Sequence, residues 1–253
     1  MSPILLIDLS SIFHARWHVS PQDALNRTCL AIAELSRRYR DLIVCCDHPT
    51  NWRHERTAHF PPERRYKGNR IPDPQLQAEL IRAKCTLRRR GFAVVQCDGY
   101  EADDVIATLV RQAGSAREVR IMSEDKDLHQ LVSQTCTQIT KRGWVTPVDC
   151  ERKFGVPPSK MRDLIALMGD SSDNIAGCAG IGKVTAANIL IAFGSIEGAI
   201  AAGPVKIREV PGVGKTTAIH LMDWSMDLAV ELVTLKVDCP IDLHSILVEL
   251  KAS

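Results

Sequence analysis

The stretch "FAVVQCDGYEADDVIATLVRQAGSAREVRIMSEDKD", residues 92–127, decides the fold. Its two short apolar runs, FAVVQCD and EVRIM, read as buried strands, and the amphipathic DDVIATLVRQA between them reads as a helix. Strand, helix and strand in so short a span form the unit of a parallel sheet. Toward the N-terminus, DLIVCCD (41–47) and ILLID (4–8) are two more buried strands, with a helical stretch through ALNRTCLAIAELSRRY (24–39) between them. The predicted class is α/β, with a mostly parallel central sheet flanked by helices.

Acids follow each predicted strand. Asp8 and Asp47 end the first two, Glu101, Asp103 and Asp104 come just after the third, and Asp125 and Asp127 just after the fourth. Ligands of open parallel sheets bind at the carboxyl ends of the strands, so these acids are predicted to converge there. Clustered carboxylates repel one another unless a cation compensates them. Hard oxygen donors without histidine or thiolate suit Mg²⁺ or Mn²⁺ rather than zinc. Two such ions about 3.5–4 Å apart can activate a water and stabilise the leaving oxygen of a phosphodiester displacement.

The charge distribution supports a polyanionic substrate. The formal net charge of the 253 residues is only +2. Between Trp52 and Phe92, however, eleven Lys or Arg face four acids, whereas from Asp98 to Asp127 eight acids face four basic residues. Such a pairing suits a metal-dependent enzyme acting on a polyanion. The basic segment 50–74 lacks clean periodicity, contains Pro61, Pro62, Pro72 and Pro74, and reads as a mobile loop leading into a helix through PQLQAELIRAKCTLRRRGF. Arg53, Arg64 and Arg65 in this segment, and Arg88, Arg89 and Arg90 at the end of that helix, are expected DNA contacts.

Nine scattered cysteines without a CxxC pair predict neither a disulfide framework nor a zinc site, and Cys45 and Cys46 read as buried strand residues. No apolar run reaches the roughly 18 residues of a membrane span, and no leader pattern opens the chain, so a cytoplasmic protein without a membrane partner is expected.

From Pro157 the pattern becomes helical. Met161, Leu164, Ile165 and Met168 share one face, with Ser159 as the expected N-cap and Gly169 as the stop. Ala186, Ile189, Leu190 and Phe193 repeat the spacing before Gly194. Between the two lies DSSDNIAGCAGIGK, with Asp170 and Asp173 ahead of a glycine-rich hairpin. The hairpin amides, with Lys183, suit a phosphate backbone held without regard to sequence. GIGKVTAANIL (180–190) is echoed by GVGKTTAIHLM (212–222). The echo is not read as a P-loop, because Glu209 stands where that motif needs its first glycine.

GYEADDVIATL, SEDKDLHQLV and LMGDSSDNIAGCAGIGKVTA together resemble the 5′ nuclease family: flap endonucleases, the 5′ nuclease domain of bacterial DNA polymerase I and phage 5′ exonucleases. WRHE and YKGNR look like that family's segment leading into its helical arch. The resemblance runs from Asp8 to about Asp242. It implies that Asp8, Asp47, Glu101, Asp103, Asp104, Asp125, Asp127, Asp170 and Asp173 ligate two Mg²⁺ or Mn²⁺ ions, and that Tyr66, Lys67 and Arg70 contact the scissile strand as catalytic residues. It also implies that the helix-hairpin-helix with Gly177, Gly180 and Gly182 binds duplex DNA and a K⁺ ion.

The expected boundary separates an α/β nuclease domain at 1–155, with a basic arch region at about 52–92, from a helical DNA-binding region at 156–253. The resemblance implies a free-standing, monomeric phage or bacterial enzyme: a structure-specific 5′-3′ exonuclease and flap endonuclease of DNA replication or repair. Its substrates would be DNA with a 5′ end or flap, or an RNA primer–DNA hybrid. A non-catalytic DNA-binding relative is disfavoured by the intact DKD and DSSD, and a PIN-type ribonuclease by the helix-hairpin-helix.

Overall fold

The computed structural model describes residues 2–252. In chain order the elements are β1 (Ile4–Asp8), α1 (Leu9–Trp17), α2 (Ala24–Ser36), β2 (Asp41–Cys46), α3 (Trp52–Thr57), α4 (Pro74–Arg89), β3 (Ala93–Gln96), α5 (Ala102–Ala113), β4 (Val119–Met122), β5 (Cys136–Thr140), β6 (Gly143–Val145), α6 (Pro147–Phe154), α7 (Met161–Met168), α8 (Lys183–Phe193), α9 (Ile196–Ile207), α10 (Lys215–Asp223), α11 (Met226–Val233) and α12 (Leu243–Ala252). They form two compact units, each discontinuous in sequence. The sheet unit comprises residues 2–52, 71–145 and 235–252, and the helical unit comprises Arg53–Arg70 and Thr146–Thr234.

In the sheet unit the strand order is β3-β2-β1-β4-β5-β6. Every pairing is parallel except β5 with β6. The chain proceeds from β1 outward to β2 and β3, then returns to the other side of β1 with β4. The strand order therefore reverses between β1 and β4, where open α/β sheets leave a crevice at the carboxyl edge. β1 and β2 are buried at every residue, which is why they read as unbroken apolar runs. Leu6, Ile43, Val105, Ile106, Leu109 and Ile121 pack on one side of the sheet, and Leu5, Ile7, Ile32, Val44 and Leu87 on the other. The first cluster includes Leu235, Cys239 and Leu243, so the C-terminal end of the chain completes the core of the N-terminal sheet.

The helical unit buries Leu164, Ile165, Ile181, Ile189, Leu190, Ala218 and Leu232. α7 begins after a 3-10 turn at Pro158–Lys160, with Lys160 at its N-cap and no side-chain cap, so Ser159 does not take the expected capping role. The chain then doubles back. A Cβ on Gly169 would lie 2.5 Å from the Gly177 nitrogen, and one on Gly177 would lie 2.3 Å from that of Gly169. Two backbones touch there, and only glycine permits it. Segment 50–74, expected to be a mobile loop and arch, carries α3 and a 3-10 turn at Pro62–Arg64. Among the described residues, no single helix is long and apolar enough to cross a membrane.

Candidate active site

The carboxyl edge of the sheet holds the acids because of how each strand ends. β1 runs directly into α1, and Asp8 caps that helix by accepting from the Ser11 amide at 3.0 Å. Its other oxygen accepts from Ser123 Oγ at 2.8 Å, just past β4 on the neighbouring strand. Asp47, just past β2, accepts from the Ala102 amide at 2.8 Å and from the Ser10 hydroxyl. Glu101 caps α5, where the positive end of the helix dipole offsets part of the local negative charge.

These contacts do not balance the cluster. Burial first, then the nearby Asp47 and Asp125, push the Asp8 carboxyl from 3.8 up to about 7, against the hydrogen bonds from Ser11 and Ser123. Asp103 is pushed well above the carboxylate range by burial, then by Asp125, Asp8, Glu101 and Asp47. Five of the predicted acids, Asp8, Asp47, Glu101, Asp103 and Asp125, thus lie within electrostatic reach of one another. Their donors are all carboxylate oxygens, the set that a hard divalent cation fits.

Asp104 and Asp127 are placed differently. Asp104 is fully buried, and its oxygens accept from the Glu101 amide at 3.3 Å, Trp52 Nε1 at 3.1 Å and the Lys236 amide at 2.8 Å. It closes the capping box of α5 and ties residue 236 to that helix. Asp127 is buried, and its amide donates to Asp125 Oδ1 at 2.9 Å.

A set of polar residues supports the turn after β4. Ser123 Oγ accepts from the Asp125 amide at 3.0 Å. Gln138 Nε2 donates to the carbonyls of Ser123 at 2.9 Å and Asp125 at 2.7 Å, while its Oε1 lies 2.6 Å from His129 Nδ1. Ser10, Ser123, Gln138 and His129 were absent from the sequence-based site. Ser10 and Ser123 sit beside predicted strand ends and could have been flagged. Gln138 lies on β5, a strand whose mixed CTQIT pattern gives little apolar signal.

In the helical unit Asp173 is compensated within the unit. Asp173 accepts from Tyr66 Oη at 2.8 Å and from Arg70 Nη2 at 2.5 Å, and Lys67 Nζ lies 3.9 Å away. The Lys67 amide donates to the Asp173 carbonyl at 2.8 Å, Asn69 to that of Ser171 at 2.7 Å and Arg70 Nε to that of Ser172 at 3.1 Å. Lys67 has φ of 52°, a left-handed conformation costly for a side-chain-bearing residue and held by these bonds. Asp170 accepts from the Ser172 amide and hydroxyl at 2.9 and 2.6 Å.

The expected DNA-contacting residues separate into two groups. Arg53 is corrected: it is 3% exposed, and its guanidinium donates to the carbonyls of Leu232 at 2.8 Å and Thr234 at 3.2 Å. A buried guanidinium spent on backbone is not displayed to a polyanion. Arg64, Arg65, Arg88, Arg89 and Arg90 are exposed. Gly180, Gly182 and Lys183 are exposed, whereas Gly177 is half-buried against Gly169. Gly182 is the N-cap of α8 and no side chain caps that helix, which leaves its first amides to meet an anion. Lys183 Nζ donates to the Lys153 carbonyl at 3.2 Å.

A family model described as 5′-3′ exonuclease, N-terminal resolvase-like domain, matches residues 3–155, and one described as 5′-3′ exonuclease, C-terminal SAM fold, matches 156–252. A 5′-3′ exonuclease of Aquifex aeolicus is 35% identical over 205 residues, covering 80% of this chain and 67% of that protein. The thermostable DNA polymerase I of Thermus filiformis is 36% identical over 185 residues, covering 70% of this chain. The match spans only 21% of that polymerase's length. The crystal structure of a bacteriophage T5 flap endonuclease, in a pseudo-enzyme-product complex with DNA and metal ions, superposes with a TM-score of 0.75 at 24% identity. It covers 98% of this chain and 92% of that one, and shows the same fold.

Proposed function

Because the chain belongs to the 5′-3′ exonuclease family, we propose that it is a metal-dependent phosphodiesterase that removes nucleotides from DNA 5′ ends and cuts 5′ flaps near the duplex junction. The observation that carries this reading is the carboxylate cluster at the sheet edge, where Asp8 and Asp103 are pushed upward. Such a cluster is tolerable at neutral pH when a cation shares it.

Asp8, Asp47, Glu101, Asp103 and Asp125 fit Mg²⁺ or Mn²⁺ by donor type and charge. Asp127, Asp170 and Asp173 keep their proposed ligand roles, whereas the oxygens of Asp104 are engaged with three N–H groups. Bound divalent ions would supply an activated water and charge stabilisation at the phosphate. Ser123 and Gln138 hold the turn that presents Asp125, and Ser10 orients Asp47. Lys67 and Arg70, paired with Asp173, are the cations proposed to turn toward a bound phosphate, with Tyr66 orienting the carboxylate they leave. The uncapped amides of α8 would hold one backbone of the duplex without reading its sequence. A K⁺ ion at this hairpin belongs to the same proposal.

The test uses 5′-labelled flap, nicked and single-stranded DNA with Mg²⁺ and with a chelator. Metal-dependent cleavage near the junction of the 5′ flap is expected. Equal cutting of 5′ and 3′ flaps, or cleavage that survives the chelator, would overturn the reading.

A further inference from the structure

The internal echo of the sequence becomes a reciprocal packing in the helical unit. Gly180 and Gly212 have φ of 81° and 86°, and they precede α8 and α10, whose N-caps are Gly182 and Gly214. A Cβ on Gly180 would lie 3.3 Å from Thr217 Oγ1 of α10, and one on Gly212 would lie 3.0 Å from Thr185 Oγ1 of α8. His220 Nδ1 of α10 is 3.1 Å from the Ala179 carbonyl, and Asn188 Nδ2 of α8 donates to the Pro211 carbonyl at 3.0 Å. In all four cases, glycine, threonine, ring or amide nitrogen, and carbonyl, the equivalent residues stand 32 positions apart. When residue i of one copy meets residue j of the other and the converse also holds, the two copies are related by an approximate two-fold axis.

The function proposed above uses one hairpin of this pair. We infer that α10 is the brace of the Gly177–Gly182 hairpin, with His220 and Thr217 as positioning residues for its grip on duplex DNA; the inference rests on the proposed role of that hairpin. The acceptor of the His220 bond is a carbonyl, so Nδ1 bears the proton. That bond fixes the peptide plane between Ala179 and the left-handed Gly180, and Thr217 fills the space beside Gly180 where a side chain would stand. Together they set the direction in which the chain enters α8, and with it the aim of the exposed amides at the start of that helix. Asn188 makes the equivalent bond across the two-fold with an amide, so an amide at position 220 can replace the imidazole.

The experiment measures binding of the full chain to a duplex and to a single strand, the single-turnover rate at saturating enzyme, and the thermal midpoint. His220→Ala is expected to weaken duplex binding about three- to tenfold, the loss of one hydrogen bond. Single-strand binding, the saturated rate and the midpoint should stay near wild type. His220→Asn should restore duplex affinity to within about twofold, since it returns the donor. Thr217→Ile, which presses on Gly180, should mimic His220→Ala. Asn188→Ala, which frees the other hairpin, should leave duplex affinity unchanged. Equal affinities for the Ala and Asn variants, equal losses on both DNA forms, or a loss in Asn188→Ala matching that in His220→Ala would each overturn the brace. If His220→Ala lowers the midpoint, the Asn variant decides: a folded His220→Asn protein with weakened duplex binding overturns the inference. Failure of the wild-type protein to bind duplex would instead overturn the functional reading.

Discussion

The sheet unit and the helical unit treat negative charge in opposite ways. At the sheet edge five carboxylates approach one another, and hydroxyls and amides are what their neighbours offer Asp8 and Asp47. In the helical unit Asp173 is held by a phenol and two cations from the segment 66–70 of the same unit. The proposed divalent cations would balance the first arrangement. The second supplies its own, and its cations can change partner when a phosphate arrives. Both features look alike in the sequence, as aspartates near loops, yet they differ in whether the fold has already balanced them.

The sharpest way to break this contrast is to neutralise one acid on each side. Asp8→Asn and Asp173→Asn should both reduce Mg²⁺-dependent cleavage on the order of a thousandfold, comparable to losing a preorganised charge-stabilising group. Their stabilities should diverge. Without divalent metal, Asp8→Asn should not lower the thermal midpoint, because it relieves repulsion. Asp173→Asn should lower it by several degrees, because it strips a half-buried ion-pair network. Parallel shifts in the two midpoints would erase the distinction.

Lys67→Ala probes the self-compensated side directly. Its single-turnover rate at saturating enzyme is expected to fall roughly a hundredfold, within the range for removing one group that stabilises developing charge. Substitution of Arg88, Arg89 or Arg90, exposed at the end of α4, should instead weaken binding and reduce its salt dependence. Equal, salt-reversible losses for Lys67 and the arginines would deny Lys67 a special role.

The smallest expected effect is a pH slope. The Asp8 carboxyl rises from 3.8 to about 7 in the folded protein, so the folded state binds more protons than the unfolded state between those values. Stability from this group is therefore fully present at low pH and is lost as pH rises toward 7. The metal-free midpoint should fall by a few degrees between about pH 5 and pH 8, and both Asp8→Asn and saturating Mg²⁺ should flatten that fall. A metal-free midpoint that rises over this range would show that the cluster is balanced from within.

Much of this arrangement is legible in the sequence alone. The buried strands β1 and β2 announced themselves as apolar runs, and the acids after β1 to β4 followed from the rule that ligands meet the carboxyl edge. The helix-hairpin-helix was readable from its 3.6-residue apolar spacing and its glycines, because period and turn chemistry are local properties of a chain. The short strands β5 and β6 were missed: β5 alternates mixed residues, β6 has three residues, and pairing in the sheet rather than local pattern makes them strands.

What only the tertiary structure decided is which charges are shared. Sequence placed Arg53 and Lys67 in one basic segment, but folding buries the first against the carbonyls of Leu232 and Thr234 and sets the second beside Asp173. It likewise placed Asp103 and Asp104 side by side, yet one is pushed upward by burial and then by its acidic neighbours while the other accepts from backbone amides. It showed two hairpins 32 residues apart without showing that each seats its glycine against the other's helix. The reason is physical: propensity and periodicity act over a few residues, whereas electrostatic energy and steric fit depend on distances between groups far apart in the chain, which folding alone sets.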